Sequence, residues 1–174
     1  MAITKTTGNN RFIIGIDPSS SKHGVALYEN EKLIELHSLN TPKLSMLLKN
    51  LKQFGDVVVS IEDNDSVSAV YEGRFKNTDS QAVKAKKAQH VGMVKQAQRE
   101  VERWCEELGI TVIKQKPSSA WKDTNDKQFK LVTGWQGRSN EDQRSAAFIG
   151  FLGLNKPVPF KAKNNIRLVN QVMR

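Results

Sequence analysis

The stretch Phe12-Ile13-Ile14-Gly15-Ile16-Asp17-Pro18-Ser19-Ser20-Ser21-Lys22-His23-Gly24-Val25-Ala26-Leu27-Tyr28 decides how the rest of the chain is read. A β-branched apolar run ends in a carboxylate, turns through Pro18 and three serines, passes Gly24 and resumes as a second apolar run, the pattern of strand, tight turn, strand. Asp17 therefore sits where a central strand runs out. An acid there is costly unless a cation, a phosphate-bearing ligand or a basic group balances it, and the simpler role, a cap on the turn with Ser20 or Ser21, carries similar weight on this stretch alone.

Working outward, Gly24–Glu29 and the nearly alternating Lys32–His37 complete three antiparallel strands, the last an edge strand. Thr41-Pro42 opens a helix with Leu44, Leu47, Leu48 and Leu51 at helical spacing, which Gly55 is expected to end. Asp56-Val57-Val58-Val59-Ser60-Ile61-Glu62-Asp63 is too uniformly apolar for a half-exposed strand and reads as one buried on both faces. It too ends in acids. Two such strands side by side place Asp17 next to Glu62, and like charges that close call for a cation between them. Residues 64–78 form a long polar loop in which Tyr71 and Phe75 are interspersed with Arg74 and Lys76, either a strand-stacking element or a loop pinned to the core by its rings.

The longest element is a helix over about Asp79–Leu108, with an apolar stripe through Val83, Val91, Val94, Ala97, Val101, Trp104, Cys105 and Leu108 and a cap at Gly109. Lys84, Lys86, Lys87, Lys95, Arg99 and Arg103 make its polar face basic, and Gly92 in mid-helix predicts a close backbone approach. Cys105 falls on the stripe, as a packed core thiol. Ile110–Ile113 is a further strand, followed by Lys114, Lys116 and Lys122. A short helix over Asp126–Thr133 ends at Gly134. A last helix begins at Ser139-Asn140-Glu141-Asp142, with Ser139 and Asp142 fitting a capping box, and its body Ala146–Leu154 is small and apolar enough to lie flat on a sheet.

Of 174 residues 38% are hydrophobic, enough for one domain with a sizeable core, and the formal charge of +9 makes nucleic acid the first candidate partner. No apolar run reaches the ~20 residues of a membrane span, and the start lacks the apolar core of a secretion signal, so a cytoplasmic protein that binds no membrane is expected. One cysteine and three histidines offer no zinc-ligand spacing, so any metal is expected to be held by oxygen. The organisation read from the chain is a disordered N-terminus over 1–10, a single domain over 11–154 and a basic tail over 155–174.

Three acidic positions stand out: Asp17, Glu62 and the pair Glu141 and Asp142. Carboxylates on separate elements at one sheet edge can hold two divalent ions about 3.5–4 Å apart across a phosphodiester. Mg²⁺ suits such an oxygen site, with Mn²⁺ as its substitute. Lys114, Lys116 and Lys122 could neutralise phosphates near the cut.

The order of elements resembles the ribonuclease H-like α/β fold, a mixed five-stranded sheet flanked by helices, and within it the RuvC-like Holliday junction resolvases, with the phage and poxvirus branch nearest in size and basic tail. Ile14-Gly15-Ile16-Asp17-Pro18-Ser19-Ser20 through Gly24-Val25-Ala26 is similar to that family's first motif, Val57–Glu62 to its second, Ala88-Gln89-His90-Val91-Gly92 to its small-residue helix segment and Asp142–Ala147 to its last. Four differences stand out. Ser19 stands where the family commonly has Gly and His23 where it often has Thr. The last motif usually carries acids three positions apart, whereas Asp142 is followed at that spacing by Ser145. The family's aromatic wedge after the second acid is absent from Asp63–Asp65.

The resemblance implies a crossover junction endodeoxyribonuclease, a homodimer that makes paired symmetric nicks in four-way DNA. It implies Asp17, Glu62 and Asp142 as catalytic and metal-holding residues, with the fourth position taken by Glu141 or by Ser145 through water. Ser19, Ser20, Lys22, Tyr71, Arg74, Phe75, Lys84, Lys87, Lys114, Lys116 and Lys122 are the candidate DNA contacts. A broader nuclease on flaps and branched DNA, a non-catalytic nucleic-acid binder and, less well matched in length, an actin-like ATPase fragment remain as alternatives.

Overall fold

The computed structural model describes residues 10–67 and 75–156. Residues 1–9 of the expected N-terminal tail, 157–174 of the expected C-terminal tail and the loop residues Tyr71 and Arg74 lie outside them, while Asn10 belongs to β1. The chain runs β1 (Asn10–Asp17), β2 (His23–Glu29), β3 (Lys32–Leu39), α1 (Thr41–Leu51), β4 (Gly55–Glu62), α2 (Gln81–Glu107), β5 (Thr111–Gln115), α3 (Asp126–Thr133) and α4 (Glu141–Leu154). The sheet order is β3-β2-β1-β4-β5. β1, β2 and β3 pair antiparallel, whereas β4 runs parallel to β1 and β5 parallel to β4. This is the mixed five-stranded sheet expected from the sequence, with β3 on one edge.

Both central strands are buried from Phe12 to Asp17 and from Val57 to Ile61, because each alternates apolar side chains onto two covered faces. One face carries Phe12, Ile14 and Ile16 of β1 and Val57, Val59 and Ile61 of β4 against Leu44 and Leu48 of α1 and Val101 and Cys105 of α2. The other carries Ile13, Ala26, Tyr28 and Val58 against Ala146 and Ala147 of α4 and Phe129 of α3. Cys105 is fully buried, as a core thiol.

α4 lies flat on its face of the sheet because glycines remove the side chains that would hold it off. A Cβ on Gly15 would meet the Ala146 carbonyl oxygen at 2.0 Å. Two hydrogen bonds fix the docking: the Tyr28 hydroxyl donates to the Ala147 carbonyl at 2.7 Å and the Ser60 hydroxyl to the Ile149 carbonyl at 2.7 Å.

Four local expectations are corrected. α1 ends at Leu51 and Gly55 is the first residue of β4, since the chain is already turning at Lys52. The capping box of α4 is formed by Asn140 and Gln143, one residue beyond the expected pair, and Ser139 instead hydrogen-bonds Asp126. Gly92 makes no close approach, for a Cβ there would meet nothing within 4 Å. The stripe of α2 is buried only in its C-terminal half, at Ala97, Gln98, Val101 and Cys105, while Val83, Met93 and Trp104 are exposed.

Candidate active site

The parallel register pairs Ile16 with Ile61, so Asp17 and Glu62 leave the carboxyl ends of β1 and β4 as neighbours. The antiparallel register sets Asp17 opposite Gly24. A Cβ on Gly24 would meet the Asp142 carbonyl oxygen at 2.1 Å, so this glycine lets the first turn of α4 rest on the strand beside Asp17. Three elements distant in sequence thereby deliver Asp17, Glu62 and Asp142 to one cleft of about 340 Å³. Pro18, Ser19, Asn64 and Lys122 share its lining, and His90, Val91 and Val94 of α2 form the opposite wall.

Asp17 is only 7% exposed, and its Oδ2 is buried with no hydrogen-bond partner among the described residues. Burial, reinforced by the charge of Glu62, raises its pKa to about 6, against the pull of Lys122 and of a hydrogen bond from the Ser145 hydroxyl. Glu62 accepts from the Asn64 side-chain amide at 3.0 Å, and Asp142 stands at the solvent end of the cleft with its side chain half exposed.

The Lys122 ammonium stands between these acids, 3.6 Å from Asp17 Oδ2 and 3.9 Å from Asp142 Oδ1. Burial disfavours its charge, but Asp17, Asp142 and Glu62 outweigh that and hold its pKa above the ordinary lysine value. Among the described residues no three His, Cys, Asp or Glu side chains are gathered at metal-holding range. The acids are arranged around an ammonium. The donor set nevertheless fits a hard divalent cation: it is all oxygen, it comes from three rigid elements, and one of its atoms is buried without a hydrogen bond.

The turn that carries Asp17 is locked from below. His23, 1% exposed, accepts from the Ser19 backbone N–H at Nδ1 (3.2 Å) and pairs through Nε2 with the Thr41 hydroxyl (3.0 Å). Since Nδ1 accepts, the ring proton is on Nε2, and burial lowers the ring's pKa so that it stays neutral.

Of the other expected site residues, Ser145 is buried under Asp17 and donates to it. Glu141 is exposed and does not line the cleft. Ser19 lines it, whereas Ser20 and Lys22 are exposed on the turn above. Phe75 is half-buried at the far end of the loop. Lys84 lies near the start of α2, and Lys87 there pairs with Asp79 at 2.6 Å. Lys114 is held by Glu102 at 3.0 Å, and Lys116 is exposed beyond β5.

Two contributions have no counterpart in the expected set. Gln98, on α2 and fully buried, accepts from the backbone N–H groups of Asn64 and Asp65 and donates to Asp63 and Glu102, which fixes the chain where it leaves Glu62. Its signal was present: Val94, Gln98, Val101 and Cys105 recur at helical spacing, so a glutamine lay on the apolar stripe. Trp121 sets the course of Lys122 and had no such signal.

No protein-family model and no curated protein matches the chain by sequence. Solved structures do. RuvC of Thermus thermophilus in complex with a Holliday junction substrate is 15% identical with a TM-score of 0.50, over 80% of this chain and 90% of that one. A second structure of Thermus thermophilus RuvC is 14% identical with a TM-score of 0.49, over 80% and 91%. The sheet order, the flanking helices and the first of these likenesses define a ribonuclease H-like α/β fold.

Proposed function

We propose that this protein is a metal-dependent endonuclease that resolves four-way DNA junctions. The observation that carries the reading is the Asp17 carboxylate, buried with an oxygen that no hydrogen bond reaches in a cleft where Glu62 and Asp142 converge, on this fold. The similar Thermus RuvC structure contains a Holliday junction, and the formal charge of +9 suits the same class of ligand.

Mg²⁺, or Mn²⁺ in its place, would be held by Asp17, Glu62 and Asp142 and would supply charge stabilisation to the phosphodiester and acidity to a bound water. The chain's own residues do the rest. Asp17 and Glu62 keep the floor of the cleft negative where a water oxygen must reach phosphorus. Ser19 lines the cleft beside Asp17, and Lys122 reaches the same space and can pair with a phosphate oxygen there. Attack by water breaks the bond to the 3′ oxygen and leaves a 3′ hydroxyl and a 5′ phosphate. Exposed Lys116 and Lys22 flank the approach and add affinity that falls with salt.

Two symmetric nicks need two sites, which a twofold homodimer supplies. The N-terminal half of α2, with Val83 and Met93 exposed, is a surface such a partner could cover. Among the described residues no helix is long and apolar enough to cross a membrane. A cytoplasmic site of action, and kinship with the phage and poxvirus branch, complete the proposal on the sequence features given above.

Incubation of the full chain with Mg²⁺ and a synthetic four-way junction tests the proposal. Paired symmetric nicks are expected, and Asp17→Asn should bind the junction without cutting it. Equal cutting of flaps and forks would assign a broader nuclease. Binding without cleavage in both Mg²⁺ and Mn²⁺ would assign a non-catalytic binder, the reading that Ser145 favours.

A further inference from the structure

We infer that Lys122 holds the place of a second cation in the acid cluster, so that the cleft takes one divalent ion where the sequence suggested two. The inference rests on the reading of this cleft as a metal site and deepens it.

Lys122 is not a surface lysine that happens to lean inward. Its backbone is placed by a built arrangement. Trp121, immediately before it, has φ +62°, a left-handed conformation that is uncommon for any residue but glycine and unfavourable for a bulky one. Such a conformation persists only where packing over-determines it, and the Trp121 ring meets Phe129, Phe148 and Phe151 with centroids 6.0, 5.4 and 5.4 Å away. The Lys122 carbonyl accepts from Arg144 Nε at 3.4 Å and Nη2 at 3.2 Å. Arg144 in turn donates to the Ser139 carbonyl at 3.0 Å and pairs with Asp126 at 3.3 Å. Lys122 and Asp142 are thus fastened to the same turn of α4, one through Arg144 and the other by position. An aromatic cage and a guanidinium clamp aim the ammonium at the gap between Asp17 and Asp142.

Charge decides what else the gap can hold. Of the four positions expected to ligate, the one three residues after Asp142 is Ser145, which is neutral and already donates to Asp17. Three carboxylates and one ammonium leave two formal negative charges, which one divalent ion balances. A second ion would sit within a few Å of the ammonium, where two cations repel strongly even with solvent screening. Asp17 Oδ2, buried, reached by no hydrogen bond and faced by Nζ at 3.6 Å, offers the coordination point for the single ion. On this arrangement the ammonium supplies beside the phosphodiester the fixed positive charge that a second ion supplies elsewhere.

Stoichiometry tests this without reference to cleavage. Metal-free full-length protein, without DNA, is titrated with Mn²⁺ while free hexaaqua Mn²⁺ is counted by its electron paramagnetic resonance signal. One bound ion per chain is expected, lost in Asp17→Asn. Lys122→Met should bind the first ion at least about tenfold more tightly and admit a second, as removal of a neighbouring charge requires. Lys122→Arg, which keeps the charge, should still bind one, and its circular dichroism together with that of Lys122→Met checks the fold. Two ions in the unaltered protein, or one ion with unchanged affinity in Lys122→Met, would overturn the inference and leave the metal reading standing. No ion in any of these proteins would overturn the metal reading itself.

Discussion

Two sets of carboxylates lie within a few residues of each other at the carboxyl edge of the sheet, and they are treated in opposite ways. Asp63 and Asp65, just past Glu62, are fully answered. Asp63 is held low by donors from Gln98 and Ser66 that outweigh its burial, and Asp65 is held low by a two-pronged contact with Arg99 at 2.7 and 3.0 Å. Asp17, across the strand pair, is buried, pushed up to about 6 and left with one oxygen that no hydrogen bond reaches and that faces the Lys122 ammonium at 3.6 Å. A carboxylate whose lone pairs are filled by the protein is structural. One that is desolvated yet unfilled costs stability and is kept for something outside the chain. The difference separates the acids that build the loop from the acid that faces the cleft.

The sharpest way to break that comparison is to neutralise one acid from each set. Asp17→Asn is expected to lower metal-dependent nicking by on the order of 10³-fold or more, since several kcal/mol of charge stabilisation goes with the metal. The same substitution should make the metal-free protein more stable. An acid whose pKa rises from 3.8 to about 6 on folding binds more protons in the native state over that interval. The stability of the unaltered protein therefore falls as pH climbs from about 4 to about 6 and is level above, a loss of about 3 kcal/mol from this group. Urea unfolding in EDTA between pH 4 and 8 checks it: Asp17→Asn should lack that decline. An identical decline in the variant would show that Asp17 is not strained.

A smaller effect is expected from the residue that brings the third acid to the cleft. In Gly24→Ala the new methyl would meet the Asp142 carbonyl at 2.1 Å, so the first turn of α4 must shift while Asp17 and Glu62 stay in place. A displacement of about 1 Å at a reacting centre costs on the order of 10²-fold in rate. Overpacking at the sheet adds about 1–3 kcal/mol of lost stability. Single-turnover cleavage and thermal melting, taken together, separate the two.

How much of this could be read beforehand follows from what each residue's neighbours reveal. Ile13–Asp17 and Val57–Glu62 announce buried strands because β-branched runs have few other uses, and two such strands ending in acids are enough to pair Asp17 with Glu62. The flat docking of α4 was legible in Ala146, Ala147, Gly150 and Gly153. Lys122 was not. In sequence it follows Lys114 and Lys116 and reads as a contact to phosphates near the cut, and only the left-handed backbone at Trp121, packed against three phenylalanines, turns it into the acid cluster. The cap of α4 slipped by one residue because Ser139 and Asn140 are both good capping residues. The basic face of α2 read as a surface for DNA, yet part of it ties down the chain after β4: Arg99 grips Asp65, and Lys95 donates to the carbonyls of Asp65 and Val67.

That use of α2 allows the other half of the comparison to be tested at its support. Gln98→Leu keeps the size of the side chain and removes its polar atoms, leaving the half-buried backbone N–H of Asp65 without its Gln98 acceptor and that of Asn64 with the Glu62 carbonyl at 3.2 Å in its place. An unsatisfied group costs about 1–3 kcal/mol, so a loss in that range is expected, with cleavage reduced about tenfold through looser positioning of Glu62. Asp65→Asn should do least of all. Its carboxylate meets Arg99 on the surface, where solvent and salt screen the pair, and it takes no part in the cleft. The variant is expected to nick at an unchanged rate and to melt close to the unaltered protein, with any difference vanishing at high salt. A large loss of cleavage in Asp65→Asn, measured beside Asp17→Asn in the same assay, would mean that a filled carboxylate at this edge also serves the reaction, and the distinction between structural and cleft-facing acids would fail.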